Sequence, residues 1–173
     1  MNKDIVKEYG DVLHDPSSIV DRPLEVLSVG PKLDIALGGG VPEGSLFIMT
    51  GPEKVGKTVT ALTFCANAQK HYQRKVYYAN IEGRLKKRDL EGIIDLDLDS
   101  EKMQIIGSTE GNILSAEKYL SIVDNIVHTQ PGSLAVVDSF SALSSEAELT
   151  GDLSDMQVMS VQKVLAKFCR RIS

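Results

Sequence analysis

Residues 51–58 read Gly51-Pro52-Glu53-Lys54-Val55-Gly56-Lys57-Thr58, and few octets restrict a fold as strongly. Its two glycines let the backbone curl until successive N–H groups point inward, and a helix beginning at the lysine would aim its positive end at the same point. Such a loop binds phosphate oxygens when a strand leads into it and a helix leads away. Before it, Leu46-Phe47-Ile48-Met49 is apolar without alternation, the pattern of a strand buried on both faces. After it, the pattern predicts a helix from Lys57 to about Tyr72. In this arrangement Lys57 reaches the β- and γ-phosphates as a point charge and the hydroxyl of Thr58 ligates Mg²⁺. The candidate nucleotide-binding set runs through Gly51, Pro52, Glu53, Lys54, Val55, Gly56, Lys57 and Thr58 to Val59.

The strand-then-helix pattern recurs downstream. Val76 to Ile81 reads as a second strand, followed by a charged segment and a helix after Lys87; Met103 to Ile106 reads as a third strand. Ser115 is placed to cap a helix whose apolar positions Ala116, Tyr119, Leu120, Val123, Ile126 and Val127 keep helical spacing until Gln130-Pro131-Gly132. Leu134-Ala135-Val136-Val137 is a fourth buried strand ending on Asp138, and a last helix is predicted over residues 157 to 172. Alternation of this kind indicates an α/β fold, a mostly parallel sheet with helices on both faces. Upstream, residues 2 to 13 fit a short helix broken by His14-Asp15-Pro16, and Leu33 to Leu37 fit another ending at Gly38-Gly39-Gly40. We therefore expect an arm and linker over residues 1–32 and one core over 33–173.

At 173 residues and 42% apolar side chains the chain suffices for one core. No stretch approaches the ~18 apolar residues that a membrane span requires, so a cytosolic protein without membrane contact is expected. Cys65 and Cys169 fall in helical patterns without paired spacing and read as packing residues. The histidines His14, His71 and His128 show no metal-like spacing. A net charge of -5 excludes a uniformly basic nucleic-acid binder, though not a local patch.

Two carboxylates stand where chemistry would need them. Asp138, at the end of an apolar strand, suits a second magnesium ligand near Thr58; the pattern alone also allows an Asp that only starts a turn. Glu82 ends the second strand and would orient, or accept a proton from, a water attacking the γ-phosphate, if it is not simply a solvated loop residue. Arg84, Lys86, Lys87 and Arg88 follow it and read as a solvated loop. Lys163, Lys167, Arg170 and Arg171 form a positive stripe beside Val161, Leu165, Phe168 and Ile172, either the wet side of an amphipathic helix or a nucleic-acid contact.

Over nearly its whole length the sequence resembles the RecA-type recombinases, including the phage UvsX branch. The resemblance is carried by Leu27 to Gly30, Leu33 to Gly40 with Pro42-Glu43-Gly44, the phosphate loop, Ala79-Asn80-Ile81-Glu82-Gly83, and Val136-Val137-Asp138-Ser139 with Ala142-Leu143. Glu146-Ala147-Glu148-Leu149 and Gly151 to Asp155 look like the first DNA-binding loop of RecA, which other P-loop ATPases do not share. The resemblance implies a RecA-like P-loop core using ATP and Mg²⁺, with Glu82 as the catalytic glutamate beside Lys57, and Thr58 and Asp138 at the metal. It implies Val158 against DNA bases, Lys163 and Arg170 on the DNA backbone, and Arg88 as the side chain stacking on adenine.

It further implies a DNA-dependent ATPase that assembles as a helical filament on single-stranded DNA and promotes homologous pairing and strand exchange in recombination and repair. The first 20 or so residues would pack on a neighbouring subunit, and a recombination mediator or single-strand-binding protein is an expected partner. The setting would be the cytoplasm of a bacterium or of a phage-infected host. By the same resemblance the chain stops at Ser173 before the strand with the γ-phosphate-sensing glutamine and before the second DNA-binding loop, so hydrolysis by this chain alone is expected to be poor. Two other readings are a RecA-superfamily hexameric motor, DnaB-like or KaiC-like, against which the Glu146 to Asp155 loop argues, and a non-catalytic nucleotide-binding assembly module.

Overall fold

A computed structural model of the chain describes residues 7, 10–12, 15–17, 24–150 and 159–172. Of the helix expected over residues 2 to 13, only the short 3₁₀ turn Gly10–Val12 is continuously described.

Two short strands, β1 (Val26–Leu27) and β2 (Val41–Pro42), pair antiparallel around helix α1 (Pro31–Leu37). Asp34 holds the turn into α1: its carboxylate accepts from Ser28 Oγ at 2.6 Å and from the backbone N–H of Val29 at 2.8 Å. Those bonds, that from Ser28 foremost, keep its carboxyl below the usual carboxylate range. Gly38 ends the helix at φ 72°, the left-handed conformation that suits glycine.

Helix α2 (Lys57–Tyr72) buries Ala61, Leu62, Phe64, Cys65, Ala66 and Ala68. These residues face two ways because the helix is sandwiched. Phe64 and Ala68 pack with Leu27, Val29 and Val41 of the β1–β2 unit, while Ala61, Leu62 and Cys65 pack with Val76, Tyr78 and Met103 of the sheet. Burial pushes the Cys65 thiol up to about 12, consistent with a packing role.

The main sheet is parallel, in the order β4 (Met103–Ile106), β3 (Val76–Asn80), β5 (Leu134–Asp138). Register sets Val76 opposite Met103 and Leu134, and Asn80 opposite Asp138. Alternation along β3 sends Val76 and Tyr78 toward α2 and Ala79 toward the other face. There α4 (Ala116–Thr129) and α6 (Met159–Ile172) pack through Tyr119, Leu120, Val123 and Phe168. Ser115 caps α4 by accepting from Lys118 N–H, at 3.4 Å. Between these elements lie α3 (Lys87–Glu91) and α5 (Glu146–Thr150). The fold is thus α/β, a parallel sheet with helices on both faces.

Two expectations are corrected. Residues 45–50, predicted to include a strand buried on both faces, have no regular secondary structure, and Leu46 and Ile48 are 40% and 56% exposed. A doubly buried strand needs a ladder partner, and an open cleft of about 1040 Å³ separates this segment from β5, so neither has one on that side among the described residues. An apolar run records what a segment can bury; whether a neighbouring strand is present to bond it is written elsewhere. Val127, predicted to be on the buried face of α4, is exposed, because its neighbour Ile126 takes the inward position and Val127 turns to the open cleft.

Candidate active site

Glu82 follows β3, Asp138 ends β5, and the loop before α2 lines the same cleft, so all three meet at the carboxyl ends of parallel strands. The loop turns through positive φ at Lys54 (61°) and at Gly56 (94°), which precedes the first turn of α2. Gly51, Glu53, Lys54, Gly56, Lys57, Thr58 and Val59 line the cleft. Pro52 and Val55 belong to the loop but do not line it. The Lys57 ammonium folds back on the loop and donates to the carbonyls of Gly51 and Pro52, at 2.8 and 2.7 Å. A phosphate group entering the loop would offer it stronger, charged acceptors.

Thr58 Oγ1 donates to Asp138 Oδ2 at 2.8 Å, joining residues that the sequence analysis paired only by argument. A hydroxyl and a carboxylate are hard oxygen donors, and Mg²⁺ characteristically takes one or two such groups and completes its shell with phosphate oxygens and water. The pair therefore fits magnesium carried in with a nucleotide. Glu82 is in the same cleft, where its Oε1 accepts from Ser139 Oγ at 3.0 Å and its Oε2 lies 3.4 Å from Arg84. Ser139 Oγ also shares a 2.7 Å hydrogen bond with Ser141 Oγ.

Sequence reasoning missed Tyr78, whose hydroxyl donates to Asp138 Oδ2 at 2.7 Å from the buried side. The signal was available: a tyrosine in an apolar strand needs a partner for its hydroxyl. Tyr78 precedes by two residues, on the same face, the position that pairs with Asp138. Burial, then the hydrogen bond to Asp138, raises the pKa of its phenol well above the ordinary range.

The remaining candidates lie apart from the cleft. Arg88 is 80% exposed on α3, its Nε 3.6 Å from Asp89 Oδ1, and does not line the cleft. Lys163, Lys167 and Arg170 are exposed along α6. Arg171 leaves the stripe: its guanidinium grips Asp124 of α4 through two hydrogen bonds, of 3.0 and 2.7 Å. Val158, with residues 151–157, lies outside the described residues; Glu146–Thr150, the start of the segment likened to a DNA-binding loop, forms α5.

The family description "RecA N-terminal domain" matches residues 3–173. Similar curated proteins include Protein RecA of Streptomyces venezuelae, 35% identical over 154 residues that cover 88% of this chain and 38% of the relative. Protein RecA of Rippkaea orientalis is 32% identical, with coverages of 87% and 41%. A third is the mitochondrial DNA repair protein recA homolog 3 of Arabidopsis thaliana, 32% identical, with 95% of this chain and 36% of that protein covered. The chain thus spans roughly two-fifths of the length of these relatives. With an octet leading into α2, one carboxylate at the end of β5 and another just past the end of β3, and this match along its length, the chain belongs to the RecA family.

Proposed function

We propose that the chain is the ATP-binding core of a DNA recombinase, a DNA-dependent ATPase that assembles on single-stranded DNA as a helical filament and promotes homologous pairing and strand exchange. The observation that carries this reading is the Thr58–Asp138 hydrogen bond beside the phosphate loop, with Glu82 in the same cleft. Magnesium bound with ATP supplies charge neutralisation on the phosphate oxygens. Lys57 exchanges the Gly51 and Pro52 carbonyls for phosphate oxygens, and backbone N–H groups of residues 51–58 close around them. Glu82, steadied by Ser139, orients the attacking water and takes its proton.

Lys163 and Arg170, exposed on α6, contact the DNA backbone, and Val158, outside the described residues, meets the bases. Arg88 would need α3 to move, or a neighbouring subunit to present it, in order to stack on adenine. Residues 1–32 act as the arm that docks on the next protomer, and residues 33–173 as the core. A mediator or single-strand-binding protein would assist loading, in a bacterial or phage-infected cytoplasm. A second reading, a nucleotide-binding assembly module without turnover, is favoured by the open cleft between residues 45–50 and β5, which leaves the sheet unfinished beside the site.

The test is ATP hydrolysis with and without single-stranded DNA, for the chain and for Lys57→Ala and Glu82→Gln. Stimulation by DNA that both substitutions abolish supports the recombinase reading. Nucleotide binding without turnover under every condition supports either the module or a recombinase core whose turnover needs segments that its longer relatives carry.

A further inference from the structure

The two oxygens of Asp138 are used differently. Oδ2 accepts from Thr58 Oγ1 at 2.8 Å and from the Tyr78 hydroxyl at 2.7 Å. No described residue hydrogen-bonds Oδ1. Tyr78 is fully buried among Ala61, Leu62, Cys65, Val76 and Met103 and does not line the cleft, so it reaches Asp138 from behind and cannot touch a ligand. A phenol has one proton to donate. If the carboxylate turned Oδ2 elsewhere, that donor would be stranded in the apolar core, at the cost of desolvation without a partner.

We infer that Tyr78 is a positioning residue for the metal site: by fixing Oδ2 from the core side it presents Asp138 Oδ1 to the cation or to a water bound to it. Thr58 benefits from the same arrangement, because donating its proton to Oδ2 leaves its oxygen lone pairs for the cation. The inference rests on the reading of Asp138 as the metal-facing carboxylate.

Tyr78→Phe removes one hydroxyl and keeps the ring. Binding of a fluorescent ATP analogue is titrated with Mg²⁺ and repeated in EDTA, on the full chain. Affinity in EDTA is expected to stay within about twofold, while the Mg²⁺ concentration giving half of the metal-dependent gain rises about tenfold, the scale of one hydrogen bond to a charged group. An unchanged Mg²⁺ midpoint, or an equal loss with and without metal, overturns the inference. If the unsubstituted chain gains no affinity from Mg²⁺, the reading of Asp138 falls and the inference falls with it. A second readout leaves residue 78 intact: Asp138→Ala removes the acceptor and should shift the near-ultraviolet tyrosine absorbance of the metal-free protein. An unmoved band counts against the bond and overturns the inference.

Discussion

Thr58 and Asp138, 80 residues apart in sequence, are joined by a hydrogen bond of 2.8 Å that ties the first turn of α2 to the end of β5. Thr58→Val keeps the shape of the side chain and removes the donor to Asp138 and, on the proposed function, an oxygen for the cation. Hydrogen bonds to charged groups contribute about 1.5–3 kcal/mol, so magnesium-dependent nucleotide affinity should fall about tenfold or more. Calorimetric titration with Mg²⁺-ATP checks this, and equal affinity for the two proteins would remove Thr58 from the site.

Arg170 and Arg171 are neighbours to which the proposed function gives separable roles. Arg171→Ala should lower the melting temperature, because it releases Asp124 and unfastens α6 from α4. Arg170→Ala should leave the melting temperature nearly unchanged and weaken binding to a single-stranded oligonucleotide, with a shallower dependence on salt.

The same pair predicts a pH dependence. The Arg171 guanidinium, chiefly by its hydrogen bonds, holds the Asp124 carboxyl below the ordinary range, with His128 and Lys167 adding smaller attractions. A depressed carboxylate contributes stability above its unfolded pKa, near ~4. That contribution is lost as pH falls through the lower folded value. The melting-temperature gap between the chain and Arg171→Ala should therefore be full at pH 7 and close below about pH 4.

Gly40 and Gly38 sit in one glycine run but differ in what a methyl group would meet. A Cβ on Gly40 would lie 2.4 Å from the Leu27 carbonyl oxygen, at φ +134°, whereas one on Gly38 would meet nothing within 4 Å at φ +72°. Gly40→Ala should cost at least about 2 kcal/mol and Gly38→Ala only about 1 kcal/mol. Urea unfolding midpoints of the two variants decide it.

What could be read in the sequence follows from how local each signal is. Helix α2, with a glycine loop at one end and a charged break at the other, was predicted over the residues observed, as were β3, β4 and β5 to within one residue. Asp138 and Glu82 were found because a carboxylate at the end of an apolar run is a local pattern. The Tyr78 contact and the Arg171–Asp124 pair depend on register and helix packing, which bring together residues 60 and 47 positions apart. Leu46 to Met49 shows the limit most clearly. Its composition is that of a central strand, yet a strand exists only where a neighbour completes its ladder.

That unfinished edge should be visible to solvent isotope. In a parallel strand alternate residues direct their N–H groups to opposite sides. Leu134 N–H bonds to the Lys75 carbonyl and Asp138 accepts from Ile81, so Leu134, Val136 and Asp138 face β3, whereas Ala135 and Val137 face the cleft. In β3, bonded on both sides, every amide should exchange deuterium slowly. Along β5 slow and fast amides should alternate residue by residue, so that one strand carries the stability of the core on one side and the mobility of an open boundary on the other.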